Sequence, residues 1–140
     1  MKKLLTTCVI AFTSLSANAS WHYTDQGIYT DPITQELRTG GYGSASFFLM
    51  HNEFFYVTNS EMVKGLCTQY PNASTSEPIV IDGYSKPAHS YCDQGSLVTV
   101  ISGDSGRWLF ERMWKQREVV VDGWTVDTDG FITSVKQMKR

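Results

Sequence analysis

The sequence lacks an excess of basic residues and, beyond its first 19 residues, lacks a long apolar run. Lys and Arg number 12 against 14 Asp and Glu, which gives a formal net charge of −2. Proteins that bind nucleic acid usually carry a clustered basic surface that neutralises phosphates, so this balance argues against a nucleic-acid partner. A membrane-spanning helix needs about 20 consecutive apolar residues, and the chain after residue 19 offers none.

Patterns typical of catalysis, metal binding or cofactor binding are also scarce. His22, His51 and His89 are scattered, and no Cys/His pair has zinc-site spacing. No glycine-rich phosphate loop precedes a helix. Residues 103–106 spell Gly-Asp-Ser-Gly, a serine-nucleophile motif, but no histidine lies in a motif for the base, and the chain is too short for a trypsin-like protease. We therefore expect no metal, no cofactor and no enzymatic activity.

The first 19 residues have the order of a secretory signal peptide. A positive start, MKK, is followed by an apolar run over residues 4–15 and by the small residues Ala17-Asn18-Ala19. This order predicts cleavage after Ala19 and secretion via the periplasm. Residues 20–140 are then enough for one small domain.

Cysteine is rare, and its placement indicates a disulfide. Cys8 lies in the predicted signal peptide, which leaves Cys67 and Cys92 as an even pair in an exported chain. A disulfide between them is the prediction, with two buried free thiols as the alternative.

Residues 103–116 (GDSGRWLFERMWKQ) form the one segment that predicts an amphipathic helix. Its N-terminus could be capped by Asp104 or Ser105. Helical spacing places two sets of residues on separate sides, an apolar stripe and a charged row. The apolar stripe is Leu109, Phe110, Met113 and Trp114, and the charged row is Arg107, Glu111 and Lys115.

The remaining segments are typical of strands and loops. Strands are predicted over residues 33–39, 62–70, 118–126 and 130–138, with a hairpin turn at 127–130. Residues 45–57 are dense in aromatic and β-branched residues, and Asn52-Glu53 within them is either a hairpin turn or an outward polar pair. Strands with one helix predict a mainly β fold, a partly closed barrel or rolled sheet with the helix packed on it.

Several aromatic residues lie in loop-like contexts beside hydroxyl and amide side chains. Sugar sites use such flat apolar rings with nearby hydrogen-bonding groups. The alternative is that these rings belong to the core of a small β domain. The candidates are Trp21, Tyr23, Tyr29, Tyr42, Tyr84 and Trp124.

Trp21 and residues 27–40 (GIYTDPITQELRTG) resemble the start of the mature B subunits of pertussis-like AB-five toxins, including the subtilase-cytotoxin type. In that family an aromatic residue follows the signal, and an aromatic–Ser/Thr pair, a Glu-Leu-like pair and a glycine come next. The later order of a disulfide, one helix, a strand ending in a tryptophan and a short last strand is also similar. The matching residues are Tyr29-Thr30-Asp31, Glu36-Leu37 and Gly40.

The resemblance implies a small OB-type (oligomer-binding) β-barrel with one α-helix packed on it. It implies a homopentameric ring that binds sialylated host glycans and delivers an enzymatic toxin A subunit. Thr30 would hydrogen-bond the sialic acid, with Tyr29 packing beside it and Asp31 as a further contact. The row of Arg107, Glu111 and Lys115 would face the central pore or a neighbouring subunit.

A second hypothesis belongs to another class of function. A secreted or periplasmic inhibitor or immunity protein would also be a small disulfide-bonded β domain, but it would bind one protein partner. That hypothesis predicts a monomer or dimer rather than a ring.

Overall fold

The computed structural model describes residues 20–38 and 40–139, so the predicted signal peptide lies outside the described residues. The fold is mainly β, with twelve strands and three helices in the described ranges. The strands are β1 Trp21–Thr24, β2 Gly27–Thr30, β3 Ile33–Glu36, β4 Tyr42–Met50, β5 Glu53–Asn59, β6 Ser74–Thr75, β7 Ile79–Ile81, β8 Tyr84–Lys86, β9 His89–Asp93, β10 Ser96–Ile101, β11 Glu118–Val121 and β12 Trp124–Asp127. The helices are α1 Glu61–Gln69, α2 Gly103–Lys115 and α3 Phe131–Met138.

The described strands form two antiparallel sheets. The large sheet has the order β1-β2-β4-β5-β10-β9-β6, with β3 also paired to β4, and the small sheet has the order β12-β11-β7-β8. Among the described strands no ladder closes either sheet on itself, so the oligomer-binding barrel stays a prediction. The two sheets meet where Gln35 Nε2 donates to the carbonyl oxygen of Gly123 at 2.8 Å.

A tight turn joins β4 and β5, two neighbouring strands of the large sheet. His51 and Asn52 both have positive φ, 51° and 63°, and they join β4 to β5. Two left-handed residues in a two-residue loop match the right-handed twist of a hairpin. The hairpin alternative for residues 45–57 is therefore confirmed, and β4 and β5 pair from Ser44–Asn59 to Met50–Glu53.

The helix predicted over residues 103–116 is confirmed as α2, which ends at Lys115. Leu109 and Met113 are buried in the core and Phe110 packs against it, but Trp114 is 38% exposed and does not belong to the buried stripe. The capping prediction was wrong, because the N-cap is Ser102 and its side chain makes no capping hydrogen bond. The Asp104 carboxylate instead pairs with Arg107.

Two segments predicted as strands are helices, so the prediction of one helix was wrong. Residues 62–70 lie mostly in α1, whose first turn is capped when Val63 N donates to Ser60 Oγ at 3.1 Å. Residues 131–138 form α3, which buries Phe131, Ser134 and Val135 on one side. That spacing is helical and cannot be produced by a strand, in which alternate residues share a face.

The end of the chain therefore differs from the predicted terminal hairpin. Residues 118–126 are two strands, β11 and β12, joined at Asp122-Gly123, whose φ values are 50° and 88°. Residues 127–130 do not turn between strands but lead into α3, with Gly130 at its N-cap in a left-handed conformation. The hairpin turn is formed by Asp122-Gly123, about five residues before the predicted turn at 127–130, and Asp-Gly is a dipeptide that two-residue hairpin turns favour.

The predicted disulfide is confirmed, since Cys67 in α1 is bonded to Cys92 in β9. A disulfide is consistent with an oxidising compartment. Among the described helices, none has the length and apolar character that crossing a bilayer requires.

Candidate functional site

The outer face of the large sheet carries an unusual row of large apolar side chains. Cross-strand pairing places Tyr29 beside Phe48, Phe48 beside Phe55, and Phe55 beside Val100. The Phe48 and Phe55 rings stack with centroids 4.9 Å apart, and all four side chains are only half-buried. The solvated face of an antiparallel sheet normally carries polar residues, so this row marks a surface suited to binding.

A polar groove of about 490 Å³ lies at one end of this outer face. Thr34 and Ser44 are paired neighbours on β3 and β4, and Ser44 is paired in turn with Asn59 on β5. The start of α1 and the turn before β10 complete the wall. The lining residues are Thr34, Tyr42, Gly43, Ser44, Asn59, Ser60, Glu61, Lys64, Gln94, Gly95 and Ser96.

The groove is lined by groups that can make hydrogen bonds and by one exposed aromatic ring. Tyr42 is 69% exposed and offers a flat ring, which can pack under a sugar. Hydroxyl and amide groups surround it, and Ser96 Oγ donates to Asn59 Oδ1, which holds that amide in place. Lys64 adds a cation and Glu61 adds an acceptor for ligand hydroxyls.

The structure places the three predicted glycan-binding residues on β2 and just after it. Tyr29 lies half-buried on the outer face, with its ring 5.3 Å from His22 and 6.5 Å from Phe48. The exposed Asp31 carboxylate lies 3.0 Å from His22 Nε2. The Tyr29 and Asp31 side chains are accessible, and their predicted contact with sialic acid stays a prediction.

Thr30 is different, because its side chain has a structural partner. It is 1% exposed, and its Oγ1 accepts a hydrogen bond from the Phe47 backbone N–H at 3.0 Å. Removing that hydroxyl would leave a buried N–H without a partner, which costs about 1–3 kcal/mol. A sugar contact of Thr30 stays a prediction, and a Thr30 variant would change the fold and binding together.

The polar groove and Tyr29 belong to the same face but not to the same pocket. Tyr29 pairs with Phe48 and Thr34 pairs with Ser44, so the two sites are four residues apart along β4. That corresponds to about 13 Å at about 3.3 Å per residue. A sugar chain of a few residues could reach both.

The predicted charged row on α2 is on the surface. Arg107, Glu111 and Lys115 are all exposed, while Leu109 and Met113 face the core. The surface position of this charged row is compatible with a pore, a neighbouring subunit or solvent. Its role in assembly therefore stays a prediction.

The sugar-site candidates divide between surface and core. Tyr23, Tyr42 and Tyr84 are exposed, whereas Trp21 and Trp124 are 3% and 7% exposed and belong to the core. In the part of the chain that the structure describes, no three His, Cys, Asp or Glu side chains are grouped as a metal ion would require.

Of the residues that line the polar groove, Tyr42 is a candidate from the sequence, whereas Ser44, Asn59, Lys64 and Ser96 are not. These residues come from three separate segments, and no local motif connects them. No protein-family model, no curated protein and no solved structure matches this chain.

Proposed function

We propose that this chain is a secreted, non-enzymatic, glycan-binding B subunit that assembles as a homopentameric ring and delivers a toxin A subunit. The observation that carries the proposal is the polar groove, where an exposed tyrosine ring stands among hydroxyl and amide groups beside the Lys64 cation. The resemblance of residues 27–40 to pertussis-like B subunits supports it, as does a disulfide suited to an oxidising compartment.

The side chains of the groove support this ligand class. A sialylated glycan offers ring faces, several hydroxyls and one carboxylate. Tyr42 would pack against a ring, Asn59 and Ser44 would hydrogen-bond hydroxyls, and Lys64 would pair with the carboxylate. Tyr29 and Asp31, about 13 Å away, would contact a further residue of the same glycan. We also propose that the large and small sheets together form the barrel-like body expected of an oligomer-binding domain.

Tyr42→Ala is expected to weaken binding to sialylated glycans roughly tenfold per site, because an aromatic contact contributes about 1–1.5 kcal/mol. In a ring the loss of avidity would be larger, since several weak contacts are made at once. Glycan-array binding of the disulfide-intact protein measures it. The matched control is Tyr70→Ala, an exposed tyrosine at the other end of α1, 54% exposed.

Lys64→Gln, measured on the same glycan array, tests whether the protein recognises the carboxylate of sialic acid. It should reduce the preference for sialylated over desialylated glycans and leave the weak binding of neutral sugars unchanged. A wild-type protein that ignores sialylated glycans would refute the proposed ligand class.

Glu111→Lys tests the proposed place of α2 in the ring. Reversing this exposed charge leaves every subunit with three cations in the row, since Arg107 and Lys115 flank the changed position, and like charges brought together in a pore repel. We expect a shift from pentamer to smaller species in analytical ultracentrifugation, strongest at low salt, with the same far-UV circular dichroism. A pentamer of unchanged stability would mean that the row faces ordinary solvent.

One observation favours the second class of function, a protein inhibitor or immunity protein. The half-buried row of Tyr29, Phe48, Phe55 and Val100 resembles the apolar centre of a protein interface. That function predicts a monomer or dimer that captures one protein partner and shows no glycan binding. Sizing and the glycan array therefore separate the two.

A further inference from the structure

A second concavity, of about 340 Å³, lies on the inner face of the large sheet. Its floor is the sheet, and its walls are α1 and the turn between β11 and β12. We call it the inner cleft. Much of its wall is apolar, and Glu36 and Arg38 are exposed at its margin. The apolar lining residues are Leu37, Met62, Val63, Leu97 and Trp124.

The inner cleft contains a hydrogen-bonded phenol and carboxylate. Tyr56 Oη donates to Asp122 Oδ2 at 3.1 Å. Burial, together with the neighbouring Asp122 charge, raises the pKa of Tyr56, so the phenol stays protonated and acts as a donor. Burial also raises the pKa of Asp122, and the hydrogen bond from Tyr56 opposes that rise only in part.

The Asp122 carboxylate has no compensating cation among the residues that the structure describes. The ion pairs of Arg and Lys found there, within 4.0 Å, join Arg107 to Asp104 and Arg112 to Asp82, and the one His–carboxylate contact joins His22 to Asp31. Asp122 is exposed at the edge of an apolar cleft, and a carboxylate there that is not already in an ion pair can receive a positively charged ligand.

The fold does not require a charge at this position. Asp122 has a φ of 50° and precedes Gly123, so it occupies the first position of a two-residue hairpin turn. Asparagine is at least as well suited to that position. Its side-chain oxygen would also accept the hydrogen bond from Tyr56. The turn therefore does not need the negative charge, although the charge strengthens the hydrogen bond from Tyr56.

We propose that the inner cleft binds an alkylammonium group, with the Asp122 carboxylate as its counter-ion. The methylene chain would lie against Met62, Val63 and Leu97, and the cationic end would lie at the Asp122 carboxylate beside Trp124. A cavity with an apolar wall and a few convergent polar groups is the usual form of a small-molecule site. This chemistry occurs in the side chain of a protein lysine and in free diamines. The proposal does not rest on the glycan-binding function, because the groups that carry it, Asp122, Tyr56 and Trp124, line the inner cleft alone, although Asn59 and Ser60 line both concavities.

The first test needs no variant. Hexylamine and 1-hexanol have the same chain and differ in the charged end, and both can be titrated into the ¹⁵N-labelled protein. We expect shifts at the Asp122 and Gly123 amides and the Trp124 indole N–H, with hexylamine binding roughly tenfold or more tightly than 1-hexanol. Equal affinities, or shifts that avoid these groups, would overturn the proposal.

Asp122→Asn tests the counter-ion. This variant should lose the preference for the amine while its thermal midpoint changes little, since it keeps the turn and a hydrogen bond from Tyr56. Asp93→Asn, an exposed carboxylate in β9, is the matched control and should keep the preference. An amine preference that survives in Asp122→Asn would also overturn the proposal.

Two further probes distinguish a lysine side chain of a partner protein from a free diamine as the ligand. Binding of Nα-acetyl-lysine methylamide without binding of cadaverine would support a lysine side chain of a partner protein. The reverse would support a free diamine. If neither binds, the proposal fails, whatever the result of the glycan array.

Discussion

Replacing both Cys67 and Cys92 with alanine is expected to lower the free energy of unfolding by about 3–4 kcal/mol, as the loop-entropy account predicts for a closed loop of this length. The bond joins residues 25 positions apart and ties α1 to β9. Cys67 is the one buried residue of the described α1, and Met62 and Leu66 are 56% and 47% exposed. Little else holds this helix to the sheet.

Two measurements check this expectation. Urea denaturation gives the loss of stability, and native-state hydrogen exchange shows where it falls. We expect the amides of α1 to lose protection well before those of β4 and β5. The same protein treated with a thiol reductant is the control for the substitutions themselves. A loss below about 1 kcal/mol with α1 still protected would contradict the argument.

Phe131→Ala is expected to be equally damaging, with a loss of about 3–5 kcal/mol. The Phe131 side chain is 0% exposed. Its ring lies 5.1 Å from that of Trp21, 5.4 Å from that of Phe110 and 6.3 Å from that of Phe54. Its removal would open a cavity where α3, β1, α2 and β5 meet, and neighbours on four elements cannot all move inward to fill it.

Thr133→Ala is the matched control for this helix. In α3 Thr133 is exposed, and its truncation should change stability by less than about 0.5 kcal/mol. In a strand, Thr133 would share a buried face with Phe131 and Val135. Chemical denaturation of the two variants therefore distinguishes the helix from the strand that the sequence predicts. Similar losses for both would favour the strand.

The features predicted correctly from the sequence are those with a strong local or compositional signal. Helix α2 has an apolar stripe and a charged row that only a helix separates, and its bounds were predicted to within one residue. The pairing of Cys67 with Cys92 followed from there being no other cysteine in the predicted mature chain. The mainly β character followed from the aromatic and β-branched density of residues 45–57.

Helices α1 and α3 were missed for different reasons. In α3 the β-branched residues Ile132, Thr133 and Val135 favour a strand locally, and packing of Phe131 against Trp21 overrides that preference. In α1 a local signal was present, since Ser60 is a good N-cap and Glu61 follows it in the first turn. Its apolar residues are few and mostly exposed, so the periodic pattern is weak.

The candidate sites could not be found from local patterns. The polar groove combines residues near positions 34–44, 59–64 and 94–96, and the inner cleft combines Tyr56 with Asp122, 66 positions away. Which of these segments become neighbours is decided by the order of strands in the sheet, and the sequence does not encode that order in any short motif. Only Tyr42 and Trp124 carried a signal, as aromatic residues in loop-like contexts.

The contacts of Trp21 determine when the domain can finish folding as the chain is synthesised. Trp21 N donates to the Asp129 carbonyl oxygen at 3.0 Å, and its own carbonyl oxygen accepts from Ser134 Oγ, 113 positions later, at 3.3 Å. The chain leaves the ribosome N-terminus first, so β1 can pair with β2 early, but the contacts of Trp21 with Asp129 and Ser134 must wait until residues through Ser134 have emerged. The hairpins between them can form earlier, because each closes only a short loop. The Trp21 part of the core is therefore completed later in synthesis than the hairpins are.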